Sequence, residues 1–135
     1  LVTGRRISEI NETVEMIRLA GGEAVGRKMD IRNKAEIDSF FGEFVEPEGL
    51  DIFCNNAGIT VAGDFVDHTQ EELESLCSTN LMGAVYCIQN AVRLMKKQGR
   101  GGNIVVITSC NAMAPLPGQT FYSALKCALE ASLAI

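Results

Sequence analysis

Short apolar runs rich in β-branched residues alternate with helical stripes along the chain, and that alternation leaves few folds open. Three runs read as strands: residues 24–29 (closing at Asp30), 50–54 and 103–108. Before the first, Ile7, Ile10, Val14 and Ile17 recur at helical spacing until Gly21 and Gly22 stop them. Asn33 with Glu36 resembles a capping box and opens a second helix, whose face carries Ile37, Phe40, Phe41 and Phe44. Pro47 and Gly49 break it. Thr69 with Glu72 opens a long helical stretch over 69–97, with Leu81, Val85, Ile88, Val92 and Met95 as its later stripe. Lys96 and Lys97 sit where a helix C-terminus favours positive charge. A last helix is expected from about Phe121 to the end. Strands joined through helices pair in parallel, because each link must cross over the sheet. The apolar runs do not alternate, so a sheet covered on both faces is expected. The reading is one α/β domain with a doubly wound parallel sheet. Ligands in such folds sit beyond the C-terminal strand ends, here after Asp30, Cys54 and Thr108.

Composition closes other routes. Hydrophobic residues make up 47% and charged residues 21%, too apolar for a disordered chain. Twelve Lys and Arg against 17 Asp and Glu give a net charge of -5, which disfavours nucleic acid as a partner. No apolar run approaches the roughly 18 residues that would span a bilayer, so no membrane partner is expected. Residues 1–4 lead directly into Arg5 and Arg6, unlike a secretory leader. The five cysteines, Cys54, Cys77, Cys87, Cys110 and Cys127, lack C-x-x-C spacing, and His68 is the single histidine, so no metal site is expected. Their apolar surroundings predict buried, reduced thiols and a cytoplasmic setting. His68 itself reads as an exposed loop residue near a helix start.

The third strand end carries the most chemistry. Ser109 follows the strand directly, and Tyr122 and Lys126 stand at i and i+4 on the next helix, so phenol and ammonium share a face. A nearby cation stabilises a phenolate, and a tyrosine so placed can exchange a proton with a carbonyl or alcohol oxygen. A serine hydroxyl beside it can hydrogen-bond the same oxygen. Taken alone, Tyr122 and Lys126 also fit an ordinary amphipathic helix, Asn80 a helix kink, Asp30 a helix cap, and Asn55 with Asn56 a turn.

Together these pieces resemble the short-chain dehydrogenase/reductase family. Tyr122-Ser-Ala-Leu-Lys126 matches its Y-x-x-x-K motif, with Ser109 upstream; Asn55-Asn56-Ala57-Gly58 matches N-N-A-G; Asn80 stands in Thr-Asn-Leu; Asp30-Ile31 stands at a strand end. The resemblance covers essentially the whole chain and implies a Rossmann-like, NAD(P)-binding domain carrying the catalytic residues over 1–135. It implies Tyr122 as general acid/base, and Lys126 as the group that binds the nicotinamide ribose and stabilises the phenolate. Ser109 would orient the substrate oxygen, and Asn80 would hold a water linking Lys126 to solvent. Asp30 and the Ile31 backbone would meet the adenine, and Asn55, Asn56, Ala57 and Gly58 would line the adenosine side. Gly58 is expected where a side chain would obstruct the ligand.

The chain departs from the family in lacking the glycine-rich phosphate loop T-G-x-x-x-G-x-G and the later substrate-covering segments. Gly22 and Gly26 mimic part of that spacing but follow a helix, and read as a decoy. Residues 1–6 are either the family's second strand with its loop, or the end of its first strand with the loop and first helix omitted before Arg5. Arg5 and Arg6, with no acidic residue among positions 1–6, favour NADP over NAD. The implied function is hydride transfer between NADP(H) or NAD(H) and a small carbonyl or secondary alcohol, ketoacyl reductase-like or sugar/polyol dehydrogenase-like. A homo-oligomer, dimer or tetramer, is implied through the two long helices. Two rivals stand beside it: a truncated, non-catalytic binding or oligomerisation module, and a nucleotide-sugar epimerase or dehydratase.

Overall fold

The computed structural model describes residues 1–133. They form two compact units, Leu1–Asp30 and a second from Ile31 onward. In the first, β1 (Val2–Gly4), α1 (Ile7–Leu19) and β2 (Gly26–Lys28) make one parallel crossover, with Val2 opposite Gly26 and Gly4 opposite Lys28. Ile10, Val14 and Ala24 form its core, with Val2 and Ile17 packed against them, while Ile7 is exposed. Gly21 ends the helix with a φ of 84°, a conformation only glycine adopts freely. Gly26 has a packing role: a Cβ there would stand 2.5 Å from Ile10 Cγ2. Its glycine lets α1 lie close on β2, which accounts for the decoy spacing. The chain runs through Arg5 and Arg6 directly from β1 into α1.

The second unit begins with α2 (Lys34–Phe40), capped by Asn33 Oδ1, which accepts from the Ala35 and Glu36 backbone N–H groups. A π-turn (Phe41–Val45) continues it. The wider turn shifts the helical phase, so Ile37, Phe40, Phe41 and Val45 are buried and Phe44 is exposed. β3 (Ile52–Asn55) and β4 (Asn103–Val106) pair in parallel, Ile52 opposite Asn103 and Asn55 opposite Val106. Between them run α3 (Gln70–Cys77), a second π-turn (Ser78–Gly83) and α4 (Ala84–Gln98), which ends on Gly99 at φ 72°. α5 (Thr120–Ala131) follows β4. The expectation that this helix runs to the end is not met, since it stops at Ala131, and residues 134–135 lie outside the described ones.

The core here joins Ala84, Ile88 and Leu129 to Phe53, Ile104 and Val106, so α4 and α5 pack on one face of the β3–β4 sheet. On the other face Ile52 (66% exposed), Cys54, Val105 and Ile107 are exposed. Among the described residues these side chains are exposed where cover was expected, and strand period two separates the two sets. The α4 stripe is also displaced. Ala84, Cys87, Ile88, Ala91, Leu94 and Met95 are buried, while Leu81, inside the second π-turn, and Val85 and Val92, after it, are only half-buried, because that turn rotates the face. The cysteines are corrected too. Cys87 alone is buried, which pushes its thiol up to about 12, whereas Cys54, Cys110 and Cys127 are exposed.

Two predictions arise from these elements. Thr79, in the second π-turn, buries a hydroxyl that makes no hydrogen bond. Thr79→Val removes that unpartnered group at constant shape and is expected to raise stability by about 1 kcal/mol in urea denaturation. At the start of α3, Thr69 Oγ1 accepts from Glu72 N–H at 3.2 Å and Glu72 Oε2 accepts from Thr69 N–H at 3.0 Å. The bond from the Thr69 backbone first, and one to His68 Nδ1 second, hold the Glu72 carboxyl below its usual 4.5. A depressed folded pKa gives stability that is present above pH 4.5 and lost as the pH falls through the folded value. Protection of the Thr69 amide, its exchange relative to the intrinsic rate at each pH, should accordingly fall below pH 4.5, and Glu72→Gln should remove most of that acid dependence.

Candidate active site

β3 delivers Asn55, which is buried, and the chain then opens into an exposed loop through Asn56, Ala57 and Gly58. Asn80 closes on this loop from the second π-turn. It is 1% exposed, its Oδ1 accepts from Ile59 N–H at 2.8 Å, and its Nδ2 donates to Ile59 O at 2.7 Å. The side chain thus mimics a strand partner for one loop residue. A π-turn at this position is a local widening of the kind that recurs at functional sites.

α5 brings the second half. Lys126 is buried, and its Nζ donates to Ile107 O, just past β4, at 2.9 Å. The same ammonium lies 5.8 Å from the Tyr122 ring centroid. A Cβ on Gly58 would stand 3.3 Å from Asn80 Oδ1 and 3.8 Å from Lys126 Nζ. Gly58, Asn80, Lys126 and Tyr122 therefore converge, and what the glycine makes room for includes the site's own side chains. Ser109 begins the turn after β4, where its Oγ accepts from Asn111 N–H at 3.2 Å. That bond uses an oxygen lone pair and leaves the hydroxyl proton available to another acceptor.

Ile31 opens the second unit, while Arg5, Arg6 and Asp30 belong to the first. Arg5 is exposed. Arg6 precedes α1 and pairs with Glu9 through both guanidinium and carboxylate, its Nη2 at 2.7 Å from Oε2. His68 is a correction: its side chain is 4% exposed, with Nδ1 3.4 Å from Glu72 Oε2 and its ring against Gly63. Ile59 and Ile107 hold the site through backbone groups, and Asn111, Gln119 and Ser123 through side chains. Sequence reading passes over the first two because a carbonyl carries no residue signature. For the others, the signal was polar residues in or beside α5, of which Asn111 and Ser123 are buried and Gln119 half-buried.

A sequence model of the family described as short chain dehydrogenase matches residues 1–133. An uncharacterised NAD-dependent oxidoreductase of Mycobacterium tuberculosis is 35% identical over 124 residues, covering 91% of this chain and 45% of its own length. The L-rhamnose 1-dehydrogenase (NAD(P)(+)) of Azotobacter vinelandii is 35% identical over 116 residues, covering 85% of this chain and 45% of its own. The crystal structure of acetoin dehydrogenase from Salmonella typhimurium superposes with a TM-score of 0.81 at 28% identity, covering 96% of this chain and 55% of that one. The α/β fold with parallel strands is thus the Rossmann fold of these neighbours. The chain spans about half the length of the curated relatives it matches.

Proposed function

The chain belongs to the short-chain dehydrogenase family, and from that premise we propose that it carries the catalytic core of a nicotinamide-dependent carbonyl reductase/alcohol dehydrogenase. The observation that carries this reading is the convergence of Gly58, Asn80 and Lys126 with Tyr122 beside the ends of β3 and β4. The residues fit a dinucleotide: the loop over 56–58 is exposed, Gly58 offers no Cβ, and Lys126 spends one of its three N–H donors on Ile107. When bound, the nicotinamide supplies or accepts the hydride.

The chain's own residues handle position and proton. Ser109 donates its hydroxyl proton as a hydrogen bond to the substrate oxygen. Tyr122 gives its phenolic proton to that oxygen as the carbonyl is reduced, and takes it back in oxidation. Lys126 holds its ammonium near the ring, favours the negative charge left on the phenol oxygen, and presents its remaining donors to the nicotinamide ribose. Asn80 fixes the loop carrying Gly58, and beside Lys126 it marks where a water would connect that ammonium to solvent. Asn55, Asn56 and Ala57 line the adenosine side, with Asp30 and Ile31 at the adenine. Arg5 supports NADP(H); Arg6 is already engaged by Glu9, so NAD(H) stays in the assay. The substrate is a small carbonyl or secondary alcohol, of the sugar, hydroxyketone or ketoacyl type. A cytoplasmic setting is supported by five free cysteines. Self-association as a dimer or tetramer is supported by the exposed Ala124, Cys127, Ala128 and Ala131 of α5.

The test is consumption of NADPH and NADH by the complete gene product against hydroxyketones, aldoses in the oxidative direction and β-ketoacyl thioesters. Turnover with one class is expected. Neither turnover nor cofactor binding would sink the enzyme reading and leave the non-catalytic module.

A further inference from the structure

The turn between β4 and α5 is tied by a polar contact that no step above uses. Asn111 is 4% exposed, and its Nδ2 donates to Gln119 Oε1 at 2.5 Å across eight positions of chain. Each end of that bond reaches a proposed catalytic group. On one side, the Asn111 backbone N–H donates to Ser109 Oγ. On the other, Gln119 is the residue from which α5 starts, and its carbonyl accepts from both the N–H and the Oγ of Ser123, at 2.9 and 2.8 Å. Ser123 is buried and follows Tyr122 directly. Lys126 Nζ on Ile107 O and Cys127 Sγ on Ala112 O, both at 2.9 Å, also tie α5 to this stretch, but neither bonds Ser109 or the first turn of α5.

We propose that the Asn111–Gln119 bond is a positioning latch that sets the Ser109 hydroxyl relative to Tyr122. It rests on the reading in which both groups meet the substrate oxygen. Neither Asn111 nor Gln119 touches that oxygen; they act through Ser109 and the first turn of α5. An amide pair with Asn111 buried and Gln119 half-buried suits this role, because a lost partner leaves the Asn111 amide unsatisfied.

The chemistry of the pair supplies a test by exchange of donors. Gln119→Glu keeps an acceptor facing Asn111 Nδ2. Asn111→Asp keeps a bond because the Gln119 amide turns to donate its NH₂. The double variant Asn111→Asp with Gln119→Glu sets two carboxylates against each other. In the complete gene product each single variant should hold kcat within about three-fold, whereas the double loses about a hundred-fold, the scale of a misplacement near 1 Å. KM for the nicotinamide cofactor should not move. Two facing carboxylates share one proton as the pH falls, so the double should regain turnover relative to the parent between about pH 8 and pH 6. A purely structural loss would not recover that way. Singles as damaging as the double, a double with parental kcat, or a deficit that ignores pH would overturn the latch.

A second arm needs no turnover. Side-chain amide exchange of Asn111, followed by NMR, should be slow in the parent and fast in Gln119→Ala. Fast exchange in the parent overturns the latch whatever the activity. Slow exchange in a protein without turnover upholds the contact and sinks the reductase reading instead.

Discussion

Tyr122→Phe should lower kcat about a thousand-fold, within the range a positioned acid/base contributes, and leave the thermal midpoint unchanged. The change deletes one hydroxyl. The ring remains beside the Lys126 ammonium, and Lys126 keeps its bond to Ile107 O, so cofactor affinity should hold. Lys126→Met is the informative contrast. It removes the ammonium beside the Tyr122 ring and also the donor on the Ile107 carbonyl, so turnover, cofactor binding and stability should fall together. Steady-state kinetics beside a thermal melt separates the two outcomes. Turnover surviving in Tyr122→Phe would mean the proton comes from another group, and the roles given to Ser109 and Lys126 would go with it.

Asn80→Leu should be the most destabilising of the site substitutions. The amide is buried and makes two bonds of 2.7 and 2.8 Å to one residue, Ile59. Losing it leaves a backbone N–H and a carbonyl without partners, each costing about 1–3 kcal/mol, so about 4 kcal/mol in all. That is a large share of the 5–15 kcal/mol typical of a domain. Asn80→Asp should cost less, since a carboxylate oxygen still accepts from Ile59 N–H while the donor to Ile59 O is gone. Urea denaturation of the three proteins checks the order. A cost under about 1 kcal/mol for the leucine would show that the amide does not brace the loop.

The local signals in the sequence were the reliable ones. Thr69 with Glu72 gave a true capping box, Asn33 a true cap, and Tyr122 with Lys126 a shared helix face. Each depends on contacts within one helical turn, which residue types alone determine. The misses share another cause. The π-turn at Ser78–Gly83 has no composition signature, yet it sets the phase of α4 and moves the buried stripe from Val85 and Val92 to Ala84 and Ala91. Cys54 and Ile52 are as apolar as their neighbours, so only the packing of α4 and α5 distinguishes the covered face from the exposed one. His68 looked exposed because it precedes a cap, but its side chain is 4% exposed, with Cε1 near Gly63. In the site, residue types pointed to Gly58, Asn80, Ser109, Tyr122 and Lys126. They could not point to Ile59 and Ile107, whose backbone groups receive the bonds.

The most direct measurement follows an isotope. The complete gene product is given NADPH or NADH carrying deuterium at the transferable nicotinamide position, with the carbonyl substrate on which it turns over. Mass spectrometry and NMR should find the deuterium on the new carbinol carbon, with the hydroxyl proton drawn from solvent through Tyr122, and about a thousandth of that label in the Tyr122→Phe reaction under matched conditions. Cofactor that binds but delivers no label to carbon in any substrate tried would contradict a carbonyl-reducing core and leave a dinucleotide-binding module without redox chemistry.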